Sequence, residues 1–231
     1  MKIKLAIILI TFVGSFNGIA QNNDSTFIKK TLFDGEDLSN LTIDMVGKII
    51  LLQGPQAKVE IQALKKTFRK IRYHFKDGKI TISKKRDIQD DYILYVTVPP
   101  SGLMINAEVV PIIITQGDLN IKTLAIDVKI SDSIDLNIIC NEFYLTSSVI
   151  KNLSIKGNCN NFKADISVCS QLNSVNFECK NLKCEIDVAE LMLFNVTENF
   201  NLKVKDHCNS IKLKGKAEIK FNQCIDQIIK I

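Results

Sequence analysis

Phe162-Lys163-Ala164-Asp165-Ile166 is followed twenty residues later by Leu182-Lys183-Cys184-Glu185-Ile186, with the same alternation of apolar and charged residues. Successive side chains of a strand point to opposite faces. Phe162, Ala164 and Ile166 therefore share an inner face, and Lys163, Asp165 and Ser167 share an outer one. Leu182, Cys184 and Ile186 repeat the first set, and Lys183, Glu185 and Asp187 the second. Working outward, apolar-led segments begin near Leu119, Leu124, Ile134, Phe143, Leu153, Phe162, Leu172, Leu182, Leu191, Phe200 and Ile211. Alternate starts form two interleaved series. Leu124, Phe143, Phe162, Leu182 and Phe200 are separated by 19, 19, 20 and 18 residues. Ile134, Leu153, Leu172, Leu191 and Ile211 are separated by 19, 19, 19 and 20.

Self-similarity at a fixed period near 20 residues marks a repeat architecture. One short turn of chain cannot bury its inner face, whereas stacked turns can, and their backbones pair at a spacing of about 4.8 Å. The sequence thus predicts an all-β fold: a single-stranded, right-handed parallel β-helix, or solenoid, with about 19–20 residues and two short strands per turn. A leucine-rich repeat of this period needs Leu-x-x-Leu-x-Leu-x-x-Asn and a helical half in each unit, and neither is present. An all-β sandwich also has short, evenly spaced strands, but it does not call for two interleaved series. Asn161, Asn181 and Asn199 each precede a strand start. Asn tolerates the left-handed backbone of tight turns, so these residues read as a stacked turn position.

Before the repeats, Thr42-Ile43-Asp44-Met45-Val46 alternates, Lys48-Ile49-Ile50-Leu51-Leu52 runs into a Gln53-Gly54-Pro55 turn, and Lys58 to Ala63 alternates again. Leu64, Phe68 and Ile71 lie at helical spacing and predict a short helical turn. Asp77-Gly78 predicts a hairpin between Ile71–Phe75 and Lys79–Ile82, and a strand from Tyr92 ends at Pro99-Pro100. The expected organisation is a signal peptide over 1–20, a flexible polar leader over 21–40, and one β-solenoid domain over 41–231. Within that domain, 41–100 supply the N-terminal strands and 101–225 the regular turns. The last residues, from Ala217, are expected to cap one end and the strands before Pro99 the other, because a parallel stack leaves unpaired edges.

Lys2 and Lys4, the apolar run Leu5–Val13 and the small residues Gly18-Ile19-Ala20 have the order of a signal peptide cleaved after Ala20. The run is shorter than the roughly 20 residues needed to span a bilayer, no Cys follows the cut, and no later segment is long and apolar enough to span. The chain is expected to be exported to the periplasm, cell surface or medium. Its net charge is +5, of which two lysines leave with the signal. So weak a charge points away from a nucleic-acid partner.

Tracts Leu41-Thr42-Ile43-Asp44-Met45-Val46-Gly47 through Gln53-Gly54, Lys76-Asp77-Gly78-Lys79-Ile80-Thr81-Ile82 and Tyr95-Val96-Thr97-Val98-Pro99, followed by repeating strands, carry a family resemblance. Over roughly residues 38–225 the chain resembles the auto-transporter adhesin head domain, or head GIN domain, of exported bacterial envelope proteins. The resemblance implies a β-solenoid and a cell-envelope location, and it brings no catalytic residues. The chain departs from that family's usual Gly- and Ser-rich repeats in being rich in Lys, Asn and Ile and in carrying a series of cysteines.

That series is Cys140, Cys159, Cys169, Cys179, Cys184, Cys208 and Cys224. An odd number leaves at least one unpaired within the chain. Cys140, Cys159 and Cys179 are one turn apart and are expected to stack as buried thiols, with a disulfide between adjacent turns as the alternative. There is no C-x-x-C, and His74 and His207 are the only histidines, far apart in sequence, so no zinc site or other metal centre is read. No G-x-S-x-G elbow, phosphate loop or cofactor motif occurs, so no catalytic residue and no cofactor is assigned. The one ligand-binding candidate is the outward set Asp165, Glu185 and Asp187, whose carboxylates would stack beside Lys163 and Lys183. The function expected is a non-enzymatic envelope module, adhesin-like or structural, with a surface or glycan ligand. The alternative is a polysaccharide lyase-like enzyme, which would need a cleft lined by carboxylates and a base.

Overall fold

The computed structural model describes residues 26–35, 38–45, 47–84, 92–221 and 224–231. The expected signal peptide and the first residues of the leader lie outside them. The fold is all-β. Strands β1 (Phe27–Gly35), β2 (Asn40–Asp44), β3 (Lys48–Gln53) and β4 (Ala57–Leu64) precede the four-residue helix α1 (Lys65–Phe68). Then come β5 (Ile71–Lys76), β6 (Lys79–Lys84), β7 (Tyr92–Val98), β8 (Leu103–Val109) and β9 (Ile112–Thr115). A continuous extended segment, β10 (Leu119–Lys214), is followed by β11 (Glu218–Phe221) and β12 (Ile225–Lys230), and all twelve strands join one sheet.

Laid out straight, the 96 residues of β10 would reach about 320 Å at roughly 3.3 Å per residue. Instead the segment lies against itself. The Phe143 and Phe162 rings stack with centroids 4.8 Å apart, Asn160 donates to Asn141 at 3.2 Å, and Ser174 Oγ donates to the Leu193 carbonyl at 2.8 Å. Each of these contacts joins residues nineteen apart. The flanking strands pair with β10 in parallel: Leu124 with Leu103, Ile134 with Ile113, Phe200 with Ile219 and Ile211 with Ile228.

Alternation explains which residues are inside. Phe162, Ala164 and Ile166, and then Leu182, Cys184 and Ile186, are buried, while Lys163, Asp165 and Lys183 are exposed. The Phe177 ring meets those of Phe143 and Phe162 edge-on at 6.5 and 5.9 Å, the arrangement favoured by the aromatic quadrupole. Each such side chain contributes roughly 2–3 kcal/mol on burial. One start in the series is shifted: Leu191 is half-buried and Met192 takes the inner position, followed by Phe194 and Val196. Glycine serves the close approach of neighbouring passes. Gly157 has φ +106°, and a Cβ there would lie 2.1 Å from the Ile138 carbonyl oxygen.

The N-terminal strands do not stack in chain order. β2 pairs in parallel with β6 on one side and β8 on the other, and β3 likewise sits between β7 and β9. Residues 40–53 are thus inserted between the later strands 79–98 and 103–115. Beyond them the direction changes: β4 runs antiparallel to β7, β1 to β4 and β5 to β6. These antiparallel strands cover the backbone edge that the outermost parallel strands would leave open. The flexible leader expected over 21–40 is therefore corrected over Phe27–Gly35, which is strand β1. Its side chains alternate poorly and are mostly exposed, with Leu32 and Phe33 packed on the core. The strand is held mainly by backbone pairing with β4, which has no signature in hydrophobic period. The predicted helical turn is α1. The predicted hairpin is β5–β6, with Asp77 and Gly78 at φ 50° and 71°, as a primed two-residue turn requires.

Candidate functional site

The outward positions of successive passes form rows. One row is Glu142, Asn161, Asn181 and Asn199, continued by Glu218, which pairs in register with Asn199. Asn161 Nδ2 donates to Glu142 Oε1 at 2.7 Å, Asn181 Nδ2 to Asn161 Oδ1 at 3.0 Å, and Asn199 Nδ2 to Asn181 Oδ1 at 2.6 Å. The amides therefore all point the same way, each giving a hydrogen to the previous rung, and the row ends on a carboxylate that accepts the last one. Bonds in such a chain polarise one another. Tyr144 closes this end by donating its hydroxyl to Glu142 Oε2 at 3.1 Å. This bond is the leading reason the Tyr144 hydroxyl is held above its ordinary pKa.

Two residues further along each strand lies a second row on the same face: Tyr144, Lys163, Lys183, Asn201 and Lys220. The two rows, with Glu198 and Lys216 at one end, line an open groove of about 730 Å³ floored by Phe162, Leu182 and Phe200. Sequence reading found Asn161, Asn181 and Asn199 as a stacked position, and they do stack. It did not anticipate the hydrogen-bonded row or its carboxylate ends. The signal was available in the equal spacing of Glu142 from Asn161 and of Glu218 from Asn199.

Asp165, Glu185 and Asp187 continue the same outward face beyond the lysine row. Glu185 is ion-paired with Lys183 at 3.1 Å and Lys203 at 3.8 Å, and Asp187 with Lys205 at 2.7 Å. The hydrogen bond from Lys183, reinforced by its charge, holds the Glu185 carboxyl below the ordinary range, and Asp187 does the converse for the Lys205 ammonium. Lys203 and Lys205, on the next pass, were missed by the sequence reading, although Leu202-Lys203-Val204-Lys205 repeats the alternation of Leu182 to Glu185. Among the described residues no group of three or more His, Cys, Asp or Glu is arranged to hold a metal ion.

Cys140, Cys159 and Cys179 come together as a buried column of free thiols. The Cys159 thiol donates to the Asn161 carbonyl at 3.0 Å and toward the Asn141 carbonyl at 3.5 Å. Contact with the Cys159 sulfur, followed by burial, pushes the Cys140 and Cys179 thiols up. His74 is exposed on β5, and His207 lies 2.5 Å from Asn209 Oδ1, so the two histidines share no site.

The fold agrees with the comparisons. The family model described as "putative auto-transporter adhesin, head GIN domain" matches residues 37–217, and the chain belongs to that family. A "putative adhesin" of Bacteroides fragilis superposes with a TM-score of 0.71 at 15% identity, covering 90% of this chain and 98% of that one. A "putative adhesin" of Parabacteroides distasonis gives 0.59 at 15% identity, with 90% and 98% covered. A "putative lipid binding protein" of the same species gives 0.51 at 12%, again with 90% and 98% covered. At these identities the likeness shows the fold alone. No curated protein matches the chain. Among the described residues no helix is long and apolar enough to cross a membrane.

Proposed function

We propose that the chain is a non-enzymatic, exported cell-envelope module of adhesin type that holds a surface or glycan partner on its outward polar rows. The observation that carries this reading is the groove beside the asparagine row. It has a volume of about 730 Å³, and it is built from repeated amides and lysines. A groove of this kind offers many weak polar contacts to an extended partner. The carboxylates Asp165, Glu185 and Asp187 belong to the outward surface beyond the lysine row, where Glu185 and Asp187 are engaged by lysines.

The finer architecture belongs to the same proposal. Contacts at a separation of nineteen, together with parallel register at both ends of β10, support a right-handed solenoid with two strands per turn, running as one domain after the signal peptide and serving as a rigid scaffold for the rows. Export fits the charge and apolar pattern of residues 1–20 and the family's envelope location. The test is retention. Protein beginning at Gln21 is displayed on beads and offered to intact bacterial cells, host extracellular matrix and a glycan array. Saturable retention competed by soluble protein is expected. Failure to bind any of the three, or release of shortened glycan from the array, would reject the reading.

A further inference from the structure

We propose that the groove between the asparagine row and the lysine row is a binding site for an uncharged, linear polysaccharide lying along the stacking direction. This rests on the binding-module reading above and names the chemical class of its ligand. Three features point to it.

First, an amide presents donors and acceptors together, as a sugar hydroxyl does, whereas an anion asks only for donors. The ladder engages one N–H and the carbonyl of both Asn161 and Asn181, and one N–H of Asn199. That leaves the second N–H of Asn161 and of Asn199, the Asn199 carbonyl, and a second lone pair on each bonded carbonyl uncommitted within the ladder, on residues that line the open groove. Asn181 is the most constrained rung, since its amide also reaches the Asn160 carbonyl at 3.5 Å.

Second, the groove carries no strong net charge: Lys163, Lys183, Lys216 and Lys220 stand against Glu142, Glu198 and Glu218. Lys183 is moreover already engaged by Glu185. A polyanion would find little field to draw it in.

Third, the rungs repeat along one line at about the 4.8 Å step of paired strands, close to the length of one sugar ring. Five rungs from Glu142 to Glu218 span roughly 19 Å, or about four rings. At one end the exposed Tyr144, 41% accessible, offers a ring face and a fixed hydroxyl. Tyrosine of this kind supplies a large amphipathic contact at low entropic cost.

The experiment is calorimetric titration of protein beginning at Gln21 with linear neutral hexose oligomers of increasing length, and in parallel with a polyuronate, at low and high salt. The expected result is binding of at least one neutral series. Its affinity should rise with length to about four rings and then level off, because the ladder ends there. The affinity should be unchanged by salt, since no ion pair forms with the ligand. Asn181→Ala and Tyr144→Ala should each weaken binding at least about tenfold. Tyr144 is exposed, so its replacement leaves the core untouched even if Asn181→Ala lowers stability. Three results would overturn the proposal: no neutral series bound, polyuronate bound alone with salt-sensitive affinity, or full affinity kept by both variants. The last of these would leave a binding module standing while removing this groove as its site.

Discussion

Replacing Gly157 with alanine tests the stacking of the chain on itself. Gly157 has φ +106°, and a Cβ built there lies 2.1 Å from the Ile138 carbonyl oxygen on the preceding pass. Real Cβ atoms essentially never approach closer than 3.0 Å, so the two passes must separate by about 0.9 Å. The backbone conformation alone costs an L-residue about 1–3 kcal/mol. Parting the passes also weakens one or two ladder hydrogen bonds, at about 1 kcal/mol each. The sum is about 3 kcal/mol, which for a chain of this size lowers Tm by roughly 6–12 °C. Gly117 supplies the control. It also has positive φ, +82°, but nothing lies within 4 Å of its would-be Cβ, so Gly117→Ala carries only the conformational cost, about 1–2 kcal/mol. Urea and thermal unfolding followed by circular dichroism measure both. Equal losses for the two variants, or a Gly157→Ala protein that melts within about 2 °C of the parent, would refute the close approach.

Other outcomes follow from the same geometry. Phe162→Ala removes a ring buried against Phe143 and Phe177 and should cost about 3–5 kcal/mol by urea unfolding. Titrated by NMR, the Glu185 carboxyl should ionise below its ordinary value and return toward it in Lys183→Ala. Because its folded pKa is depressed, any stabilisation it gives is present above the unfolded pKa and fades as pH falls through the folded one. A normal titration in the parent protein would remove that pair. Alkylation with iodoacetamide followed by mass spectrometry should label the half-buried Cys224 first and all seven thiols after unfolding. Two thiols missing from Cys140, Cys159 and Cys179 would instead reveal a disulfide. Calorimetry should find no micromolar Ca²⁺ binding at Asp165, Glu185 and Asp187, because calcium needs six to eight oxygens and lysines occupy two of these carboxylates. Tight binding lost in Glu185→Ala would contradict this.

What the sequence disclosed was what periodicity governs. Phe162 and Leu182, like Phe143 and Phe162, are buried at the recurrence their spacing implied, and Asp77-Gly78 makes its turn because two adjacent positive φ values leave few alternatives. The rest depended on pairing between distant strands. Nothing in Asn40–Gln53 says that it slots between strands that follow it in the chain, because a parallel ladder is made by backbone groups common to every residue. Strand β1 was hidden for the same reason. In the candidate site, the individual asparagines and acidic residues were visible. The direction of the amide row and the capture of Glu185 and Asp187 by Lys203 and Lys205 were not, since each depends on register across passes to within one residue. Met192 displacing Leu191 shows how a single slip moves a side chain to the other face.

On the proposed function, the polar rows hold a partner and leave it unchanged. Equilibrium binding of protein beginning at Gln21 to purified surface polysaccharide, with the bound glycan eluted and sized after prolonged incubation, tests it most directly. Saturable, reversible binding is expected, with chain length unaltered in the eluate. Shortened chains, or new unsaturated ends growing with incubation time, would contradict it.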